Sequence, residues 1–126
     1  MKYLLDVNVL VAWHCATHPK SARLHEWRGG NQSAKLFTCA IVELGFLRVL
    51  MQGYKYDRMQ AEMALESIRK TLSGYVEKLP QPQLANWCAK GENTTDAYLC
   101  QVAKVNGLKL LTFDARIPDS SAALIQ

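Results

Sequence analysis

The sequence predicts an α/β fold, a parallel sheet covered by helices. Short apolar runs of strand type alternate with longer segments of helical periodicity along the whole chain. Turn residues fall at the joins, and 126 residues is the usual size of one domain with a core of its own. The expected organisation is therefore a single domain over residues 1–126.

Tyr3-Leu4-Leu5 reads as a short buried strand that begins at Lys2. Residues 7–16 follow as a helix. His18-Pro19 marks a turn, and Pro19 can open the next helix, which runs to Arg28 and ends at Gly29-Gly30-Asn31. Leu36-Phe37-Thr38 is the second strand, followed by a helix from Cys39 to Met51 that Gly53 ends. The clearest amphipathic helix covers Asp57 to Ser73. Asp57 is its N-cap, Ala61, Ala64, Leu65, Ile68 and Leu72 form its stripe, and Gly74 closes it. Tyr75 to Leu79 is a third strand, and a short helix is expected over 82–89 after Pro80 and Pro82. Lys90 to Asn93 is a loop, and Thr94 is the N-cap of a helix to Asn106 with Gly107 as its C-cap. Leu108 to Phe113 and Ala123 to Ile125 complete the strands.

Composition narrows the class. The chain is 49% hydrophobic and 21% charged, which excludes a disordered or fibrous protein. A net charge of +4 leans mildly towards polyanionic partners. Four cysteines, at 15, 39, 88 and 100, include no CxxC pair and have apolar neighbours, so buried, reduced thiols in a cytoplasmic protein are expected. Lys2 leads straight into a strand, and no secretory signal is read there. The most apolar stretch, Cys39 to Met51, is broken by Glu43 and Arg48 and does not read as a membrane span.

The acids stand out. Asp6 directly follows the first strand and Asp114 directly follows Leu108 to Phe113. If those strands are parallel neighbours, both carboxylates emerge at one sheet edge, where such folds bind ligands. Glu43 shares a helix face with Cys39, Ala40, Phe46, Leu47 and Leu50, so it sits inside an apolar stripe and needs an arginine, a proton or a metal. Asp96 opens a helix and leads the stripe Leu99, Cys100, Ala103. Each acid taken alone also fits a structural role as cap, turn or buried ion pair. Four converging carboxylates would repel one another, and a hard divalent cation, magnesium or manganese, resolves that best. Such a cation serves phosphodiester hydrolysis. No GxSxG, Gly-rich phosphate loop or HExxH competes, and Pro19 separates His14 and His18 from a common helix face.

At these residues the sequence resembles the PIN-domain family. Leu4-Leu5-Asp6-Val7-Asn8-Val9-Leu10 resembles its opening motif, Thr38 to Leu44 its second, Thr95 to Leu99 its third and Leu111 to Asp114 its fourth, in order over nearly the whole chain. The nearest likeness is to the VapC branch of bacterial toxin–antitoxin systems. The resemblance implies a three-layer α/β/α sandwich with a central parallel sheet and a magnesium- or manganese-dependent endoribonuclease. It implies Asp6, Glu43, Asp96 and Asp114 as the catalytic acids. Asp6, Asp96 and Asp114 would be the metal ligands, Asp6 and Asp96 foremost, with Asn8 and Thr112 in support. It also implies a homodimer, an RNA substrate and a cognate antitoxin protein.

Three other classes fit less well. A phosphatase of the haloacid dehalogenase type needs Asp where Asn8 stands, and a phospho-receiver needs paired acids after the first strand. A non-catalytic binding module of the same fold would not require all four acids. Lys20, Arg23, Arg28 and Arg116 are among the cations that could flank the pocket, although most of the basic residues read as solvated charges. Trp13, Trp27 and Trp87 read first as core or interface residues and second as stacking platforms.

Overall fold

The computed structural model describes residues 1–126. Lys2–Leu5 forms β1, with Tyr3, Leu4 and Leu5 buried, as expected for a strand covered on both faces. Val7–His14 forms α1 and Ser21–Gly30 forms α2. Pro19 stands before α2 and not within it, and Gly29 and Gly30 are its last helical residues. Lys35–Cys39 is β2, Ala40–Gly53 is α3 and Arg58–Arg69 is α4. Gly74–Val76 is β3, Thr94–Val105 is α5, Lys109–Thr112 is β4 and Ala122–Leu124 is β5.

All strand pairs are parallel, in the order β3-β2-β1-β4-β5. The chain runs from β1 outward through β2 to β3, then crosses back to place β4 on the other side of β1. The direction of travel reverses between β1 and β4, the kind of switch point where doubly wound sheets open a crevice. Right-handed crossovers put α1 to α4 on one face of the sheet and α5 on the other, which makes the three-layer sandwich. Leu4, Leu5, Leu110 and Leu111 are wholly inaccessible between the helical layers.

One glycine sets a close approach. A Cβ at Gly45 would lie 2.6 Å from Cγ2 of Val7, so its absence lets α3 settle against α1 immediately beside Asp6. Gly107 follows α5 with φ of 69°, the left-handed conformation that ends helices well.

Three expectations need correction. No helix covers 82–89. Pro80 and Pro82 lack donors, Leu84 is exposed and offers no stripe, and side chains of α5 take up the backbone instead. Gln101 donates to the Gln81 carbonyl at 2.9 Å and Tyr98 to that of Pro80 at 2.7 Å. Asp57 caps α4 through a full capping box with Gln60, but the helix stops at Arg69. Ser73 is drawn to β2, donating to the Leu36 carbonyl at 2.8 Å, and Gly74 opens β3 where it was expected to close the helix. Thr94 lies inside α5. A 3₁₀ turn over Gly91–Asn93 runs straight into the helix, and the Thr94 hydroxyl donates to the Gly91 carbonyl at 2.8 Å.

Candidate active site

The ladder between β1 and β4 pairs Leu5 with Leu111, so the next residues, Asp6 and Thr112, stand side by side at the carboxyl end of the sheet. The Asp6 amide extends the ladder, donating to the Leu111 carbonyl at 2.9 Å. Its side chain caps α1 by accepting from the Val7 amide at 2.8 Å. The Thr112 hydroxyl donates to Asp6 Oδ2 at 2.8 Å and accepts from the Asp114 amide at 3.0 Å. A buried threonine thus joins the first and last acidic motifs, 108 positions apart in sequence.

Asp96 enters from the opposite helical layer, in the first turn of α5. Burial raises the pKa of Asp6, against its bonds to Thr112 and Val7, and the charge of Asp114 raises it further. Burial, then the charges of Asp6 and Asp114, push Asp96 up to about 6. Three carboxylates therefore sense one another across the switch point. Asp114 is held low by Arg116, whose guanidinium grips both its oxygens at 3.0 and 3.2 Å. A cavity of about 280 Å³ opens here, bordered by Asp96, Asp114 and Arg116 and also by Trp87, Ile117 and Pro118.

Glu43 is placed differently. It is buried in the first turn of α3, beyond the end of β2, one strand along from Asp6. The Thr38 hydroxyl donates to it at 2.6 Å, and Arg69 clasps both its oxygens, Nε at 3.2 Å and Nη2 in a short ion pair. It lines a separate cavity of about 360 Å³ with Thr38, Arg69 and Tyr75. The partner that a glutamate in an apolar stripe demands is thus an arginine, at the end of α4. Asn8 is exposed in the first turn of α1.

The donor chemistry of Asp6, Asp96 and Asp114 suits a hard cation: oxygen ligands, an excess of negative charge, and, at Asp6 and Asp96, pKa values that burial and crowding drive upward. The side chains are not gathered into a preformed cage, since no three of the chain's histidines, cysteines and acids stand close enough to hold an ion.

Sequence reasoning missed Arg69, Glu92 and Asn93, the last two lining the acidic cavity. No periodicity links Glu43 to an arginine on another helix. Glu92 lies in a run that reads only as a loop. The cysteines are free, with Cys15, Cys39 and Cys100 buried and Cys88 half-buried. His14 bonds Tyr56 at 3.2 Å, and His18 accepts from the Lys20 amide, so neither joins the site. Trp13, Trp27 and Trp87 pack on the core, as expected. No helix is long and apolar enough to cross a membrane.

The family described as PIN domain matches residues 3–121. Among characterised proteins, the chain is similar to Ribonuclease VapC38 of Mycobacterium tuberculosis, 30% identical over 125 residues that span 90% of this chain and 86% of the relative. It is also similar to Ribonuclease VapC44 of the same organism, 28% identical over 135 residues that span 93% of this chain and 89% of the relative.

Proposed function

The chain belongs to the PIN-domain family, and on that premise we propose that it is a metal-dependent endoribonuclease, the toxin of a toxin–antitoxin pair. The observation that supports this best is the trio Asp6, Asp96 and Asp114 at the switch between β1 and β4, with Thr112 joining two of them. Asp6 and Asp96 would hold magnesium or manganese, with Asp114 as the third ligand once Arg116 is released. When bound, such a cation lowers the pKa of water and neutralises charge developing on a phosphodiester.

The chain's own groups do the rest. Val7 and Thr112 fix the orientation of Asp6, leaving its charge directed by two donors. Asp96, raised to about 6, holds a proton in mildly acidic solution and releases it near neutrality. Arg116, almost wholly exposed, is free to turn from Asp114 to a phosphate of the substrate. No histidine or cysteine lines the cavity. Attack is therefore by water, breaking the P–O3′ bond and leaving a 3′-hydroxyl and a 5′-phosphate. Glu43 and Asn8 complete the acidic and supporting set in this reading. Glu43 acts from its own side of β1 and depends on Arg69 for its position.

The same reading makes residues 1–126 one working unit in the cytoplasm. It also makes the active species a homodimer, blocked by an antitoxin protein. Support for the dimer comes from α3 and α4, where Leu44, Met59 and Met63 are each about 65% exposed. A second reading, a binding module without catalysis, draws on one observation: Arg69 and Arg116 neutralise two of the four acids. Incubating the purified protein with a panel of structured RNAs, in manganese, magnesium or EDTA, separates the two. Cleavage in either metal supports the enzyme. Binding without cleavage in both metals supports the module.

A further inference from the structure

Trp87 differs from the other tryptophans. The Trp13 indole donates to Thr71, lies beside the His25 ring and has Arg28 over its face. Trp27 meets Tyr3 edge to face. Trp87 has no aromatic or cationic neighbour among the molecule's ring contacts, yet it is half-buried and borders the acidic cavity. Its position is fixed from two directions. The indole Nε1 donates to Asp119 at 2.8 Å, and Asp119 also accepts from the Ser121 amide at 2.8 Å. The segment that leads to it is tied to α5 through Tyr98, Gln101 and Asn106. The polar end of the indole is satisfied, and its apolar body packs partly on the core and partly borders the cavity.

We propose that Trp87, with Ile117 and Pro118, forms a nucleobase subsite on which one base of single-stranded RNA stacks while its phosphate lies towards Arg116. The inference rests on the ribonuclease reading above and adds where the substrate sits. An acidic metal site has no need of a rigid tryptophan, and a polar loop would line it at less desolvation. A nucleotide needs both characters, a flat apolar surface for the base and a cation for the phosphate. The cavity holds them side by side. At about 280 Å³ it lies just below the usual range of ligand pockets, roughly 300–1,000 Å³, room for one small unit of a chain that continues outside it. Asn93 at the rim offers a donor and an acceptor to a base edge. An indole already held in place loses little freedom on stacking.

The test is binding, in an Asp96→Asn background that prevents cleavage. The probe is a short, fluorescein-labelled, mixed-sequence single-stranded RNA in magnesium at low salt, plus a set in which each base in turn is replaced by an abasic ribose. Adding Trp87→Ala is expected to weaken binding about tenfold, and Trp87→Phe to keep it within about threefold. One abasic position is expected to cost about as much as Trp87→Ala, and that cost should vanish when both are combined. Equal affinity of Trp87→Ala and its parent overturns the subsite and leaves the ribonuclease reading intact. So does a loss spread evenly over every abasic position. No binding of RNA by the parent overturns the ribonuclease reading and the subsite with it. A thermal melt of Trp87→Ala that matches its parent, together with the retained affinity of Trp87→Phe, excludes misfolding as the cause.

Discussion

Asp96 carries the sharpest consequence at the scale of single residues. Its folded-state pKa of about 6 lies above the unfolded value, near 3.9. Between those values the folded chain keeps a proton that the unfolded chain has released. That contribution to stability is full at the acid end and is lost as the pH rises through about 6. Asp6 is raised as well and acts in the same sense, whereas Asp114, held low by Arg116, acts in the opposite one. In metal-free protein, Asp96→Asn should therefore melt close to wild type near pH 3.5. It should melt above wild type near pH 7.5, by roughly 2–4 °C. That corresponds to about 1 kcal/mol once the half-exposed position is discounted. The same change should remove most RNA cleavage and shrink the melting shift that manganese produces. Thermal melts across pH, with and without manganese, measure all three. If the mutant melts below wild type at both pH values and manganese still stabilises it equally, Asp96 is a helix-end residue and no ligand.

Glu43 and Arg69 supply a second residue-scale prediction, and it is asymmetric. Arg69→Ala leaves a buried carboxylate with only Thr38, which should cost about 3 kcal/mol in urea unfolding. Glu43→Gln leaves Arg69 half-exposed and able to hydrate, and should cost about 1 kcal/mol. Equal losses would mean that the pair is worth no more than a surface ion pair.

Between elements, the close contact of α1 and α3 is the sensitive point. Gly45→Ala drives a methyl into Val7, the residue after Asp6. Overpacking of this kind costs about 1–3 kcal/mol. Because Asp6 caps α1 at the same place, RNA cleavage should fall together with the melting temperature. An unchanged melting temperature would show that the helices can part freely. Much at this scale was legible in the sequence. Every strand and every long helix falls where apolar runs and turn residues put it, within a few residues, because burial sets period and extent locally. Asp6 and Asp114 were legible as acids at one sheet edge because each follows an apolar strand. What local pattern could not supply was pairing over distance: that β4 lies against β1, that Arg69 reaches Glu43, and that the segment before α5 follows its helix's side chains in place of forming one. Trp87 belongs to the same class, since its wall exists only once 87 and 117–118 meet in space.

At the scale of the whole molecule, an acidic crevice lies among basic and apolar surroundings. Lys20 and Arg23 lie over the Phe113 ring, 5.2 and 5.8 Å from its centre, and Lys20 lowers the pKa of Asp114. If RNA binds here as proposed, Lys20 and Arg116 would meet its phosphates beside the acids, so affinity for RNA should fall steeply with added salt. On the α3–α4 face, Met63→Glu should break the proposed dimer into monomers with little change in the unfolding midpoint of the monomer, as light scattering and urea titration together would report. A wild-type protein that is monomeric at high concentration removes the dimer.

The central claim is that metal-held acids direct water at phosphorus. The end groups of the RNA fragments test it most directly, compared between wild type and Asp96→Asn and between manganese and EDTA. The account predicts fragments with 3′-hydroxyl and 5′-phosphate ends, produced by wild type in manganese and absent from both the mutant and the EDTA reactions. Fragments ending in 2′,3′-cyclic phosphate, or cleavage that persists in excess EDTA, would contradict it.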